Sequence, residues 1–219
     1  MTLTVDTAYR VTSQAYLARA RRRLDDGTPE GLFYAAFELR CGIQGRLQEY
    51  LEARKELAEK RRQGWRIPQL AKDFERVFRT GDQVVRLSIT SLVVPGSLIL
   101  YFTPVSRRLQ EMAGRLNELL HAQPKQRSDG DPWWEKQRRF LEVVYRELQK
   151  AVTGALLGPP LLNRRTKLVD LNFAFPGDAK VPEVRQFLES AGAKLRMRVQ
   201  YLRELPDDVT DGVTVLRPA

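Results

Sequence analysis

Arg115, Asn117 and His121 fall within one short stretch, RLNELLH, and His121 is the only histidine of the chain. An imidazole exchanges protons near neutral pH, a guanidinium presents a planar fork to phosphate, and a carboxamide can orient either group. Such a set suits cleavage of RNA by its own 2′-hydroxyl. That reaction asks for a base, an acid for the departing 5′-oxygen and a cation on the crowded phosphate, and it needs no metal. The stretch reads as helix. Six positions advance about 600° and about 9 Å, so Arg115 and His121 lie roughly 120° apart, both within reach of one phosphate. Asn117, four before His121, shares its face and can orient the imidazole. With one histidine per chain, a two-histidine mechanism needs a second copy of the chain. The plainer account is a histidine closing a helix, where a cation suits the dipole.

The elements that carry these residues are mostly helical. Apolar periodicity predicts a helix from about Asp6 to Arg23, broken at Asp26-Gly27. Thr28-Pro29-Glu30 then supplies an N-cap, a first-turn proline and an acid at the positive end of a long helix reaching about Gln63, where Gly64 stops it. Its stripe is Leu32, Ala36, Leu39, Ile43, Leu47, Tyr50 and Leu57. A short helical stretch near Pro68 to Phe78 precedes a third major helix, opened by Thr103-Pro104 and ending near His121, with Leu109, Met112, Leu116, Leu119 and Leu120 inward. Asp131-Pro132 caps a fourth helix that ends near Gly158.

The most apolar window, Val84 to Phe102, has Arg86 near one end and Pro95-Gly96 at its middle. Its alternation of β-branched residues with Arg86, Ser88 and Thr90 reads as two strands joined by a turn rather than a membrane span. After Gly158 the period changes. Val169, Leu171, Phe173 and Phe175 alternate as a half-buried strand, a helix runs from about Pro182 to Ala191, and a strand follows with Leu195, Met197, Val199 and Tyr201 on one face. Lys194, Arg196, Arg198 and Gln200 occupy its other face, and Val213 to Leu216 adds a short strand. The expected fold class is mainly α: an up-and-down helical bundle over 1–158 with a β-hairpin inserted at about 84–102, then a small α+β unit over 159–219.

An arginine, a few residues and then a histidine late in a helical bundle resembles the signature of HEPN-domain ribonucleases, with five residues between Arg115 and His121 here. The stretch AAFELRCGIQGRLQEYL, Ala35 to Leu51, also resembles the family's second-helix pattern, in which a Glu-Leu-Arg triplet precedes an apolar stripe. Leu116 stands where that family often has a polar residue, and the polar residue comes one later as Asn117. The resemblance implies a homodimer whose motif helices meet in one composite site, with metal-independent endoribonuclease activity and no cofactor. It implies that Arg115 binds the scissile phosphate and His121 takes part in proton transfer. By analogy with the family, such a chain serves as a toxin or antiviral defence effector, held in check by a protein inhibitor or partner. Glu38 and Arg40 are candidate support from the second helix, although an ordinary edge salt bridge between them is the better account.

The 37 Lys and Arg against 27 Asp and Glu leave a net charge of +10, which favours polyanionic partners such as RNA. The excess falls mostly before Gly158, where 27 basic residues meet 19 acidic ones, against 10 and 8 after it. The best binding candidates are Lys194, Arg196 and Arg198, because a strand presents them together, joined by Arg108. The run ARARRR at 18–23 and KRRQGWR at 60–66 read as solvated helix ends as readily as contacts to nucleic acid. Trp133 and Trp134 read as packing anchors. A single cysteine, Cys41, excludes an intramolecular disulfide. With it and one histidine, the usual zinc sites are out of reach. Asp207 to Gly212 fails as a calcium loop, since Val209 and Pro218 fall on ligand positions. MTLTVDTAYR lacks the charged start and apolar run of a signal peptide, so a cytoplasmic chain without membrane attachment is expected. The alternative to an enzyme is a non-catalytic RNA- or protein-binding regulator of the same resemblance, or an assembly subunit whose tail adds strands to another chain.

Overall fold

A computed structural model describes residues 9–54, 64–162, 169–174, 180–192 and 194–216. Its helices are α1 (Ser13–Asp25), α2 (Pro29–Glu52), α3 (Ile67–Phe78), α4 (Arg107–Leu120), α5 (Pro132–Thr153) and α6 (Val181–Ala191). The strands are β1 (Val84–Ser91), β2 (Ser97–Phe102), β3 (Leu161–Leu162), β4 (Val169–Asp170), β5 (Leu195–Leu202) and β6 (Val213–Leu216).

Local chemistry sets the helix starts. Thr12, Thr28, Ser106 and Asp131 each stand in extended conformation, and their side chains accept from Ala15, Gly31, Leu109 and Trp133 backbone N–H groups. Pro29 and Pro132 fill the first turns of α2 and α5, where no N–H is needed. The first helix starts at Ser13 rather than near Asp6, which lies outside the described residues. Thr12 caps it, and Glu49 of α2 holds its first turn by accepting from Ser13 N and Oγ at 2.7 and 2.8 Å. The long second helix ends at Glu52, with Ala53 as its cap. Leu57 and Gln63 lie outside the described residues.

Helix α2 is the centre of the helical layer and packs against α1, α3, α4 and α5. Leu32, Ala35, Ala36, Leu39, Ile43, Leu47, Tyr50 and Leu51 are buried along it. Arg21 of α1 ties the layer laterally, with Nη1 and Nη2 each 2.9 Å from the Glu142 carboxylate of α5. No helix among the described residues is long and apolar enough to cross a membrane.

The hairpin forms as expected, β1 pairing with β2 so that Leu87 faces Leu100 and Ile89 faces Leu98. It does not stand as an insert. β5 pairs with the free edge of β1 and β6 with the free edge of β2, giving one antiparallel sheet in the order β5-β1-β2-β6. The expected mainly α fold class, a helical bundle with a separate α+β unit at its end, is therefore corrected to α+β. The physical reason lies in the hairpin. Val85, Leu87, Ile89, Leu98, Leu100 and Phe102 are buried against the helices in the main core, and strands with one buried face still need partners for both rows of backbone groups. Segments before and after Gly158 share that sheet, and Val184, Phe187 and Val213 join the same core as α1 and α2.

Of the strand expected over Val169 to Phe175, the described residues form only Val169–Asp170 against β3 and a bridge from Phe173 to Leu156, and Phe175 lies outside the described residues. Its partner segment contains Pro159 and Pro160, which have no N–H to give a ladder. Pairing resumes beyond them, with Leu157 N donating to Asn172 O and Ala174 N to Ala155 O.

Where this segment meets the sheet, Gly212 has φ +64, and a Cβ there would lie 2.1 Å from Thr153 O and 2.8 Å from Ala155 N. Gly212→Ala is expected to lower unfolding free energy by about 2–4 kcal/mol, combining a strained backbone with a backbone clash. Urea titration followed by circular dichroism checks this, and an unchanged midpoint would contradict it.

Candidate functional site

The motif helix α4 turns Leu109, Ala113, Leu116 and Leu119 into the core. Leu116 is fully buried, so the position after Arg115 is a core position in this fold. The two residues flanking it leave the helix on opposite sides. Asn117 faces α2, where its Oδ1 accepts from Arg40 Nε at 2.9 Å, and Arg40 Nη1 donates to Gln44 Oε1 at 3.4 Å. Arg115 faces α5, its guanidinium carbon 4.2 Å from the centre of the Phe140 ring. Such stacking fixes the plane of the cation and leaves its N–H edges open.

His121 is the C-cap of α4, extended at φ −99 and ψ 160 and exposed to solvent. Gln123 Nε2 closes this helix end by donating to Glu118 O at 2.8 Å and His121 O at 3.1 Å. The structure thus brings Arg40 to Asn117, one turn before His121, and sends Arg115 to the other flank of the helix. Glu38 does not reach α4. It is buried and faces α1, where Oε2 accepts from Arg19 Nε at 2.9 Å. Burial pushes the Cys41 thiol pKa up, so the side chain beside Arg40 is a protonated thiol at neutral pH.

The second set of candidates lies on the sheet. β5 pairs with β1 so that Arg198 faces Ser88, Arg196 faces Thr90 and Gln200 faces Arg86. These six residues share the outer face, turned away from the helices, because side chains alternate along each strand. Lys194 is exposed just before β5, and Arg196 and Arg198 are exposed on it. None of these lysine and arginine side chains makes an ion pair with a described residue, and the four strands of the sheet contain no Asp or Glu. Arg86 Nε is buried without a hydrogen-bond partner. At the far side of this face, Val84, Ile99 and Tyr101 are covered by Leu202 at the end of β5 and by Leu205 and Val209 from the segment linking β5 to β6. The open part is therefore a patch of guanidinium, hydroxyl and carboxamide groups. Arg108 is exposed in the first turn of α4, outside this patch.

Arg86 is the member that strand-by-strand reading misses. The alternation of Arg86, Ser88 and Thr90 was visible in the sequence, but nothing local told which strand would lie beside it. Of the other basic runs, Arg19, Arg21 and Arg23 are engaged by Glu38, Glu142 and Asp26. Most of 60–66 lies outside the described residues, and Arg66 stacks over Trp65 with its guanidinium carbon 4.9 Å from the ring centre. Trp133 and Trp134 pack edge to face at 4.9 Å and rest on the core, Trp134 also against Phe33.

No protein-family profile, no curated protein and no solved structure matches the chain.

Proposed function

We propose that this chain binds single-stranded RNA through the outer face of its four-stranded sheet. The observation that carries the reading is the register of β1 against β5, which sets Arg86, Arg196 and Arg198 on one face with Ser88, Thr90 and Gln200 between them and no carboxylate among them. Guanidinium groups two residues apart on a strand stand about 7 Å from each other, a spacing suited to successive phosphates. The hydroxyl and carboxamide groups offer partners for 2′-hydroxyls. Tyr101, the aromatic residue on this face, is buried, so recognition runs through the backbone of the nucleic acid rather than through stacked bases.

Three phosphate contacts on a single strand give a slope of log K against log salt of about −2. The wild-type chain is expected to show that slope with a fluorescent single-stranded RNA oligomer in anisotropy titrations. Arg196→Ala with Arg198→Ala should bring it to about −0.7, with weakened binding at every salt concentration. A double variant that keeps the wild-type slope would sink the reading.

A second reading is metal-independent RNA cleavage, which the HEPN resemblance implies. It is favoured by the exposed imidazole of His121 one turn beyond Asn117, whose carboxamide Arg40 holds. Labelled single-stranded RNA incubated with the protein in EDTA should then yield fragments ending in cyclic phosphate, and His121→Ala should abolish them. Equal cleavage by the variant removes His121 from the reaction, and no cleavage by either leaves RNA binding as the activity.

A further inference from the structure

Strand β5 is an edge strand eight residues long, the other edge, β6, having only four. Lys194 O accepts from Leu92 N at 2.9 Å, so Lys194 and the alternate residues after it direct their backbone groups toward β1. The backbone groups of Leu195, Met197, Val199 and Tyr201 therefore point to the open edge, and no described strand pairs with it. Their side chains share the face of Val85, Leu87 and Ile89; Leu195 packs against the main core, but the rest of the row is left open. Met197, Val199 and Tyr201 are 39%, 39% and 55% exposed, and Leu92 and Val93 in the adjoining turn are 59% and 60% exposed. Proteins usually blunt such an edge with a short strand, a proline, a bulge or an inward charge. β6 is short, whereas β5 carries charge only on its outer face, at Arg196 and Arg198, and has no proline, bulge or inward charge along the row Met197, Val199 and Tyr201.

Charge narrows the occupant and its register. A strand of unrelated sequence would need acids or neutral groups opposite Arg196 and Arg198. A second copy of β5 running antiparallel supplies neutral ones in one register. Pairing about a two-fold axis at Val199 sets Val199 against itself, Met197 against Tyr201, Arg198 against Gln200 and Arg196 against Leu202. It also sets Lys194 against Glu204 beyond the strand ends. Axes at Met197 or Arg198 set arginine directly against arginine, which is unfavourable. Axes beyond Val199 shorten the ladder. The Val199 axis gives the longest overlap free of directly opposed like charges, with a thioether beside an aromatic ring on each side of the axis.

We infer that two copies of this chain join through β5 about an axis at Val199, making one eight-stranded antiparallel sheet. This stands independently of the RNA reading. It also sets the two basic outer faces side by side on one surface.

The full-length chain is expected to sediment as a dimer at micromolar concentration. Val199→Lys puts a charge at the axis on an exposed side chain and should give a folded monomer whose thermal transition does not rise with protein concentration, as that of the wild-type dimer should. Register is read separately. In a Cys41→Ala background, Val199→Cys should form an intermolecular disulfide on treatment with diamide, since directly opposed residues stand about 5.5 Å apart at Cα. Arg198→Cys, which faces Gln200 in this register, should cross-link far less. A wild-type monomer at 100 µM, a Val199→Lys dimer as tight as wild type, or cross-linking of Arg198→Cys in preference to Val199→Cys would each overturn the inference. RNA binding by the Val199→Lys monomer tests the RNA reading separately, because its arginines are intact.

Discussion

Arg46→Met should cost the fold about 3 kcal/mol, the lower end of what breaking a buried charged network costs. Arg46 is 3% exposed in the middle of α2. Its Nε donates to Tyr50 Oη at 2.8 Å and Ala151 O at 3.0 Å, Nη1 to Glu49 Oε2 at 3.0 Å, and Nη2 to Gly154 O at 2.6 Å. One guanidinium thus satisfies carbonyls at the end of α5, where helical partners run out, and steadies the carboxylate that caps α1 through Ser13. Methionine fills the volume but donates nothing. Ala151 O keeps Thr103 Oγ1 at 2.9 Å, so the loss concentrates on Gly154 O and Glu49. Arg46→Lys should fall between, since an ammonium cannot reproduce the fork. Urea titration of the three proteins measures this, and a loss below about 1 kcal/mol for methionine would mean that the network contributes no more than one ordinary hydrogen bond.

The second large effect is alkaline. Burial raises the Tyr50 pKa above its ordinary 10.0, with the Arg46 guanidinium offsetting part of the rise. A raised acid pKa in the folded state means that only the unfolded chain ionises first. Stability is fully present below about pH 10 and is lost as pH rises through the folded value, by up to about 1.4 kcal/mol per pH unit for one tyrosine. Tyr50→Phe loses the hydrogen bond to Thr103 O and the acceptor of Arg46 Nε, which keeps Ala151 O, and costs about 1–2 kcal/mol at neutral pH. Above pH 10 it should decline less steeply than wild type, the remainder coming in part from Tyr16, whose pKa burial also raises. Denaturation midpoints from pH 8 to 11.5 test this. Parallel slopes for the two proteins would show that Tyr50 ionises alike in both states.

The sequence carried the local structure well and the assembly poorly, for one reason. Caps and turns are written in neighbours: Thr28-Pro29, Asp131-Pro132 and the Pro95-Gly96 turn each act within a few residues. Strand partners are not. Val85, Leu87 and Ile89 announce a buried face, but that face accepts any strand with a matching period, and β5 and β6 looked like a unit of their own. The same limit applies to the site. Helical phase placed Arg115 and His121 about 120° apart, and it could not say that Arg40 lies opposite Asn117 and Phe140 opposite Arg115. Arg46 did have a signal. It falls four before Tyr50 on the inward phase of α2, where a charge has no place without partners.

The order β5-β1-β2-β6 also bears on how the chain is made. β1 and β2 leave the ribosome as a hairpin whose two flanking strands are encoded roughly a hundred residues later. During that interval both of its edges and part of its apolar face lack their native cover, while the helices built on α2 can already pack locally. Loop closure over that length is slow compared with helix formation. The sheet cannot be completed until β5 and β6 are made, and the period before that is when chaperones, or a neighbouring copy emerging from the same message, have access to its edges.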